Sequence, residues 1–474
     1  MFDELHEECG VFGIYEKSAC NIAESVYSAL FALQHRGQES CGISVCDDGV
    51  FSHLKGSGLV GEVFGRDNLK SLGQGRIAIG HVRYSTCGGD NPNNIQPLVI
   101  RHINGNLALV HNGNLVNTAA LRKSFELSGA IFHGSSDTEA IAYEIVRQRL
   151  SCKSTEEAVE KAMCELKGAY SCILMTASKM IVFRDPNGFR PLCIGKTADG
   201  AYAAASESCA LEAVGASFIR DVRAGEIVVI GEDGIQSITT HCGGKNSICI
   251  FEYIYFARPD SVIEGTSVHR ARLRSGKILA QTAPIDADIV IGVPDSGLDA
   301  ALGYSLESGI PYGMGFIKNK YIGRSFIQPS QVQRDNSVKI KLNVIKETVA
   351  DKRVIMIDDS IVRGTTCARI VRLLREAGAK EVHVRISSPP FVHSCYFGTD
   401  IDSEDRLIAH NCRTTAEIAE YIGADTLAYM PVSTLSSLLN DKCFGFCDGC
   451  FTGNYPVDVS NAVYKNKFDS KIHG

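Results

Sequence analysis

Short apolar runs separated by polar turns dominate the first half of the chain, from about Cys9 to Ile238. Runs of about four to eight residues that are rich in β-branched side chains are typical of buried strands. Near the end of this half, the pair Asp233-Gly234 joins two such runs, which is a hairpin signal. The predicted strands include 76–79, 107–110, 172–175, 226–230 and 235–238.

Amphipathic helices are predicted between these strands. Ser154 and Glu157 form a capping-box pair ahead of a helical pattern, and Gly168 is a residue that can end it. A second helix is predicted over about 137–150. Helices interspersed with short antiparallel strands indicate a layered α+β domain.

The pattern changes after residues 240–247, a polar stretch with two glycines, where we place a domain boundary. The later runs 289–293, 353–357 and 381–386 are continuously apolar. A helix predicted over 366–377, with Gly378 as its end, lies between the last two. A strand–helix–strand unit of this kind predicts a parallel sheet in an α/β domain. The tail after about Asn440 is too short to form its own core, so we expect it to pack on the rest.

Composition and charge agree with a globular protein. The 474 residues include 48 basic and 54 acidic side chains, which gives a net charge of −6, and 45% are apolar. This composition argues against extensive disorder and against a broad nucleic-acid surface. The chain contains no apolar run of the roughly 20 residues that a membrane-spanning helix needs, so we expect a cytoplasmic protein. The 18 cysteines are scattered, and we expect most of them to be reduced.

The sharpest signal in the second half is the string VIMIDDSIVRGTT at residues 354–366. An apolar strand ends in two carboxylates and is followed by a loop of small and hydroxyl residues that opens a helix. Ligands of open α/β sheets bind at the carboxyl ends of strands, and a helix start suits a phosphate group. Asp358 and Asp359 can accept hydrogen bonds from ribose hydroxyls or support magnesium. The string therefore predicts a site for a phosphorylated sugar.

This string resembles the signature of the type I phosphoribosyltransferases, which bind phosphoribosyl pyrophosphate (PRPP). The resemblance implies that Asp358, Asp359 and Ser360 lie at the ribose and the magnesium ion. It also implies a 5′-phosphate site made by Arg363, Gly364, Thr365 and Thr366. The string GVPDSG at 292–297 resembles the family's pyrophosphate loop, with Ser296 near the metal. The segment 317–334 resembles its mobile cover, with phosphate-facing cations at Lys318, Lys320 and Arg324.

The first half carries its own set of motifs: CGVFGI from Cys9, HVRYST at 81–86, HNGN at 111–114 and SSDTE at 135–139. Together they resemble the glutaminase domain of the class II amidotransferases, which are N-terminal-nucleophile hydrolases. The resemblance implies a four-layer αββα fold, in agreement with the α+β pattern. The segment QHRGQES at 34–40 also fits, and we expect its backbone near the active site.

By this resemblance, the Cys9 thiol attacks the carboxamide of glutamine and its own α-amino group is the base. An α-amino group has an ordinary pKa of about 7.7 to 8.0, but Cys9 carries one only after a propeptide, residues 1–8, is removed. The oxyanion hole is implied to be formed by Asn112 and Gly113. The implied glutamine-binding residues are Arg83 for the α-carboxylate, Asp137 for the α-ammonium group and Thr86 in support.

Four cysteines of the second half stand out by their context. Cys447 and Cys450 form a C-x-x-C pair, while Cys249 and Cys395 lie far from it in sequence. The residues alone indicate zinc or an iron–sulfur centre, since either takes four thiolates. The contexts resemble the branch of glutamine PRPP amidotransferases with one 4Fe–4S cluster and a cleaved propeptide, which implies these four ligands. Cys443 lies close enough to compete, and Cys242 and Cys412 are more distant alternatives.

The resemblance covers nearly the whole chain, from Cys9 to about Tyr455. It implies an enzyme that hydrolyses glutamine and transfers the ammonia to C1 of PRPP, giving 5-phosphoribosylamine, glutamate and pyrophosphate, the first committed step of purine synthesis. Residues 252–260 are our candidate for the wall of an ammonia channel. We expect a propeptide at 1–8, a glutaminase domain at 9–240, a phosphoribosyltransferase domain at 249–435 and a tail at 436–474.

The same resemblance implies magnesium as a cofactor, inhibition by purine nucleotides and a homotetramer. One alternative is another class II amidotransferase, which makes amino sugars, asparagine or glutamate, but such enzymes lack the sugar-phosphate string at 354–366. The other is a non-catalytic protein that senses nucleotides on a phosphoribosyltransferase scaffold. A regulator of that kind predicts loss of Cys9 or of the glutamine-binding residues, and this sequence retains both.

Overall fold

The structure, a computed structural model, describes residues 9–84, 91–319, 342–399, 401, 403–440, 445–460 and 462. In these ranges, every helix is too short or too polar to cross a bilayer. The predicted propeptide, Thr86, Lys320, Arg324 and Cys443 lie outside the described residues.

An antiparallel sheet forms the first layer of strands in the N-terminal half. The strand Gly10–Cys20 lies inside this sheet, between Tyr202–Ala205 and Gly75–Arg83. In spatial order, the sheet contains Ala216–Asp221, Cys193–Thr197, Tyr202–Ala205, Gly10–Cys20, Gly75–Arg83, Ser40–Asp47 and Val50–Ser57.

A second antiparallel sheet packs on the first. Side chains of Val11 and Ile79 meet Val110 and Ile173 in the core between the sheets. In spatial order, the second sheet contains Gly234–Ile238, Ile227–Gly231, Met180–Arg184, Gly168–Met175, Gly105–Leu115 and Leu98–His102.

Helices cover the outer faces of both sheets. Ile22–Ala32 and Ser208–Ala213 bury their apolar residues on the first sheet. The second sheet is covered by Thr118–Leu127, Asp137–Arg149 and Thr155–Glu165. The order helix, sheet, sheet, helix confirms the predicted αββα fold. Short helical segments at the periphery are Val60–Val63, Arg66–Ser71 and Pro92–Asn94.

Two local predictions need adjustment. The Ser154 hydroxyl accepts a hydrogen bond from the Glu157 N–H at 3.2 Å, as a cap should, but the Glu157 carboxylate accepts from the Lys153 N–H. The helix ends at Glu165, and Gly168 instead begins a strand. The predicted hairpin forms with Gly231 opposite Gly234, so the turn residues are Glu232 and Asp233, one position earlier than expected.

The C-terminal half contains the predicted parallel sheet. Its strands, in spatial order, are Ile289–Gly292, Arg353–Asp358, Glu381–Ile386 and Thr426–Tyr429, the last of which the sequence pattern did not predict. Helices Val268–Thr282 and Gly297–Ser308 cover one face. Thr365–Glu376 and Thr415–Ile422 cover the other, so the sheet is buried on both faces, as expected of an α/β domain.

The boundary and the tail are joined by a small parallel bridge. Ile248–Cys249 pairs with Phe446–Cys447, and a π-helix follows at Glu252–Phe256. The tail helix Gly449–Thr452 places Phe451 against Phe391, so the tail packs on the body as predicted. The remaining elements are Val262–Ile263, Thr266–Ser267, Phe316–Lys318, Leu342–Val344, Lys346–Val349, Glu404–Arg406, Ile408–Asn411 and Val432–Leu438.

Candidate active sites

Cys9 lies at the start of the central strand of the first sheet, where it is half-buried. Its thiol donates to the Tyr84 carbonyl oxygen at 3.6 Å, and its own carbonyl oxygen accepts from Arg36 Nε at 3.1 Å. Gly10 pairs with Val82 in the neighbouring strand. The same register places the buried Arg83 opposite Cys9, so the structure brings the predicted nucleophile and the predicted carboxylate-binding residue together.

Asn112 and Gly113 lie on the strand Gly105–Leu115 of the second sheet. Asn112 is buried, and its side-chain Nδ2 has no hydrogen-bond partner among the described residues. Gly113 has φ of +137°, and a Cβ there would lie 2.2 Å from the Ala169 carbonyl oxygen, so only glycine fits. A buried donor without a partner is costly to the fold, and such donors occur where a ligand or transition state supplies the acceptor.

Asp137 is the first residue of the helix Asp137–Arg149. Its carboxylate accepts from the Leu115 N–H at 2.9 Å and lies 3.5 Å from His111 Nδ1. Burial acts to raise the pKa of Asp137, but His111 and the backbone donors Leu115 and Thr138 outweigh it and hold this pKa below its ordinary value. Asp137 is therefore a buried anion, suited to an ammonium group.

A histidine contact joins the two sheets beside these residues. The His81 ring Nε2 lies 3.1 Å from the His111 carbonyl oxygen, and the His111 N–H donates to Gln96 Oε1 at 2.7 Å. Burial lowers the pKa of His81 to about 3, so the ring is neutral. His81 lies on the same strand as Arg83, and His111 directly precedes Asn112. This contact therefore brings together the motifs that begin at His81 and at His111. Sequence reasoning missed Gln96.

The second site lies at the carboxyl edge of the parallel sheet. The strands before Ser296 and Asp358 are neighbours, with Gly292 opposite Ile357. The hydroxyls of Ser296 and Ser360 each donate to a different oxygen of Asp359. Burial raises the pKa of Asp359, although both hydroxyls and Arg272 act against this. The predicted metal and ribose residues are thus in direct contact.

The turn at 363–366 leads into the helix Thr365–Glu376. Gly364 has φ of +85°, and a Cβ there would lie 2.6 Å from the Ile408 side chain, so this position also requires glycine. The turn therefore places the first N–H groups of a 12-residue helix at the edge of the sheet. Such a helix start binds phosphate well.

Lys318 ends the strand Phe316–Lys318 and forms an ion pair with Asp295 of the predicted pyrophosphate loop. Both side chains are largely exposed. The ion pair places Lys318 beside this loop, and its predicted role as a phosphate-facing cation stays a prediction; Lys320 and Arg324 lie outside the described residues.

The four predicted cluster cysteines line one small cavity, together with Phe251, Phe397 and Tyr455 among other residues; they are Cys249, Cys395, Cys447 and Cys450. Burial, together with the nearby Cys395 thiol, raises the pKa of Cys447 to about 12, and burial with the thiols of Cys395, Cys249 and Cys447 raises the pKa of Cys450 well above its ordinary value. In the described part of the chain, neither Cys242 nor Cys412 lines this cavity. Among all the residues that the structure describes, no group of three or more His, Cys, Asp or Glu side chains is arranged to hold a metal ion.

Arg36, within the segment 34–40, is a functional candidate that sequence reasoning did not name. Its buried guanidinium contacts the carbonyl of the nucleophile and two carboxylates, Glu207 and Glu252. We expected the backbone of this segment near the active site, and the structure confirms that placement. Nothing in the sequence around Arg36 indicates that its side chain is buried, because its partners Glu207 and Glu252 lie far away along the chain.

Comparisons with known proteins match both halves. A model of the glutamine amidotransferase domain matches residues 81–213, and a model of the phosphoribosyl transferase domain matches residues 270–387. The amidophosphoribosyltransferase of Bacillus subtilis is 48% identical over 460 residues, which cover 96% of this chain and 95% of that protein. That of Methanocaldococcus jannaschii is 45% identical over 467 residues, covering 95% and 98%.

A solved structure agrees with these matches. The glutamine PRPP amidotransferase from B. subtilis, complexed with ADP and GMP, superposes with a TM-score of 0.87 at 47% identity. The superposition covers 95% of this chain and 98% of that one.

Proposed function

The chain belongs to the amidophosphoribosyltransferase family, and from that premise we propose how its two sites divide the reaction. The activity is that of a glutamine amidotransferase and phosphoribosyltransferase acting in purine biosynthesis. Amidophosphoribosyltransferases match nearly the full length of the chain. This match favours that activity over the two alternatives, a nucleotide-sensing regulator and a different class II amidotransferase.

Glutamine hydrolysis takes place at Cys9 in this proposal. The thiol attacks the carboxamide carbon, and the α-amino group, exposed by removal of residues 1–8, takes the thiol proton and gives it to the leaving ammonia. Water then cleaves the γ-glutamyl thioester left on Cys9, which releases glutamate and restores the thiol. The Asn112 side chain and the Gly113 N–H stabilise the oxyanion, at roughly 3 kcal/mol for each donor. The observation that supports this step is the buried Asn112 Nδ2, which has no hydrogen-bond partner within the described ranges.

Two charged residues select free glutamine. Asp137 binds the α-ammonium group, and its lowered pKa keeps it ionised at neutral pH. Arg83 binds the α-carboxylate, an ion pair that an arginine can make with two parallel hydrogen bonds. Thr86 supports this pocket in our proposal.

PRPP binds at the edge of the parallel sheet. Asp358 and Asp359 face the ribose, the residues at 363–366 hold the 5′-phosphate, and Lys318 lies beside the pyrophosphate loop. Lys320 contributes a further phosphate-facing cation. Ser296, Asp358 and Asp359 are oxygen donors of the kind that magnesium prefers, and magnesium, when bound, neutralises the pyrophosphate leaving group.

Ammonia has to pass from one site to the other without meeting water, because in neutral water it is mostly protonated and no longer a nucleophile. We assign the wall of this passage to the segment 252–260. Support comes from its position at the domain boundary and from its buried aromatic side chains, Tyr253 and Phe256.

We also propose one 4Fe–4S cluster with Cys249, Cys395, Cys447 and Cys450 as ligands. Support comes from the one small cavity that all four cysteines line. In such a cluster each cysteine binds its own iron, so the sulfurs need not converge on one ion. When bound, the cluster would link the tail to the second half through Cys395 and to the domain boundary through Cys249, and no step of the reaction needs an electron.

Purine nucleotides are the proposed inhibitors, since the B. subtilis relative was solved with ADP and GMP. A homotetramer in the cytoplasm, without nucleic acid as a partner, completes the proposal.

The test is pyrophosphate release by the purified enzyme. Release from PRPP should require either glutamine or ammonia, and release without a nitrogen source would contradict the pairing of the sites. Intact mass of the chain, native and denatured, reports removal of residues 1–8 and cluster content together. An intact leader in fully active enzyme would overturn the role of the α-amino group.

A further inference from the structure

A buried carboxylate at the domain boundary begins the segment 252–260 that we assign to the passage, but it has no individual role in the reaction described above. Glu252 is the first residue of the π-helix Glu252–Phe256 and is fully buried. It accepts hydrogen bonds from Arg36 Nη1 at 2.9 Å and from Arg36 Nη2 at 2.8 Å, and Arg190 Nη1 lies 3.5 Å away. Both arginine side chains are also completely buried. Burying charged side chains in this way costs folding free energy unless they are paired. This group of one carboxylate and two arginines therefore needs an explanation.

Arg36 connects Glu252 to the nucleophile. Its Nε donates to the Cys9 carbonyl oxygen at 3.1 Å, while its Nη1 also donates to Glu207 at 2.6 Å. The guanidinium is planar, so two carboxylates on its outer nitrogens fix the direction in which Nε points. That direction sets the orientation of the peptide that follows Cys9.

Arg190 connects the same carboxylate to the oxyanion hole. Its Nε and Nη2 donate to the Phe397 carbonyl oxygen at 3.0 and 2.7 Å. The next residue, Gly398, lies against Gly113, since a Cβ on Gly398 would be 3.3 Å from the Gly113 Cα. On the other side of this loop, the Asn114 side chain donates to the Tyr396 carbonyl oxygen at 2.9 Å.

We propose that Glu252 is a positioning residue for glutamine hydrolysis. One carboxylate from the start of the second half orients the nucleophile through Arg36, and it orients the oxyanion strand through Arg190 and the loop 396–398. This inference rests on the roles proposed for Cys9, Asn112 and Gly113. It adds that the glutaminase site is completed by a residue outside the glutaminase domain.

The test is the substitution Glu252→Gln, which keeps the shape of the side chain and removes its charge. We expect kcat for glutamine-dependent synthesis to fall roughly 100-fold, as is typical of small displacements of reacting groups. The KM for glutamine should change by less than about threefold, because Arg83 and Asp137 still bind it. Ammonia-dependent synthesis from PRPP should stay near the wild-type rate.

A second readout follows the nucleophile directly. The rate constant for alkylation of Cys9 by 6-diazo-5-oxo-norleucine, a glutamine-like electrophile, should fall in Glu252→Gln, while its apparent binding constant is retained. Glu252→Asp keeps the charge, so it should recover part of the glutamine-dependent kcat and part of the rate constant for alkylation of Cys9. It also serves as the test variant if Glu252→Gln does not fold.

The matched control is Glu264→Gln. Glu264 pairs at 2.6 Å with another buried arginine, Arg184, and neither has a hydrogen bond to Cys9, Asn112 or Gly113 among the described residues. Its glutamine-dependent kcat should equal that of the wild type. Arg36→Gln combined with Glu252→Gln should cost less than the product of the two single effects, because the two changes share the connection through Arg36 while only Glu252→Gln also affects the one through Arg190.

The positioning role of Glu252 and the proposed function would be contradicted by different results. Wild-type alkylation and kcat in Glu252→Gln, or an equal fall of glutamine- and ammonia-dependent rates, would overturn the positioning role. A wild-type enzyme that uses ammonia but not glutamine would instead contradict the proposed function.

Discussion

The proposed glutaminase site lies between two antiparallel sheets, whereas the proposed PRPP site lies at one edge of a parallel sheet. The first combines residues from distant strands: Cys9 and Arg83 on one sheet, Asn112 and Gly113 on the other. The second takes Asp358 to Thr366 from one continuous turn. The difference teaches that the first site depends on buried contacts to hold its parts together, while the second is largely set by local backbone geometry.

The strongest separation of the two sites should come from Cys9→Ala. Removal of the nucleophile should lower glutamine-dependent synthesis by about 10⁴-fold or more, because no other group forms the covalent intermediate. Ammonia-dependent synthesis should be unchanged, since the PRPP site is intact. Steady-state assays with each nitrogen source measure this, and equal loss of both activities would mean that the sites are not separable.

A smaller effect is expected from Asn112→Ala, which deletes a buried donor, Asn112 Nδ2, that has no hydrogen-bond partner among the residues that the structure describes. The kcat for glutamine should fall about 10²- to 10³-fold with little change in KM, as for other oxyanion-hole donors. The matched control is Asn106→Ala on the same strand, whose side chain donates to the Gly49 carbonyl oxygen instead and which should keep the wild-type kcat. If KM rose and kcat stayed the same, Asn112 would be a binding residue.

The buried His81 makes the glutaminase half sensitive to acid. Its folded pKa of about 3 lies below the ordinary value of 6.5, so the unfolded chain binds the proton first. Its contribution to stability is present above pH 6.5 and is lost as pH falls toward 3, by up to about 1.4 kcal/mol per pH unit. His81→Gln should flatten the dependence of Tm on pH in this window. Parallel curves for variant and wild type would show that His81 does not titrate this way.

The smallest effect is expected from Lys318→Ala at the PRPP site. Lys318 is exposed and paired with Asp295, and exposed pairs contribute roughly 0 to 1 kcal/mol. The KM for PRPP should therefore rise only about threefold, with no change in glutaminase activity. A rise of about 100-fold would show that PRPP binding buries this cation.

The same comparison explains what the sequence could predict. The strand predicted at 353–357 is observed at Arg353–Asp358, and Asp359, Ser360 and Gly364 follow it along the chain as expected, because this site is local in sequence. The motifs also singled out Gly113 and Gly364, and both have positive φ values that admit little besides glycine, while their predicted roles stay predictions.

The contacts that were missed join residues far apart in sequence. Glu252 lies 216 residues from Arg36, and no periodicity or motif connects the two. The strand Thr426–Tyr429 was missed for a related reason: it is short and half-buried, so its pattern is weak, and its partner strand gives it order. Two residues lie outside the described ranges and stay predictions: Thr86, which we predict to support the glutamine pocket, and Cys443, which could replace one of the four cluster ligands.

Isotope competition tests most directly whether ammonia made at Cys9 is used at the PRPP site without release. The enzyme is given glutamine labelled with ¹⁵N in the amide, PRPP and an excess of unlabelled ammonium at neutral pH, and the nitrogen of the phosphoribosylamine product is analysed by mass spectrometry after trapping. We predict a product that is almost entirely ¹⁵N. A product whose label matches the bulk ammonium pool would contradict internal transfer.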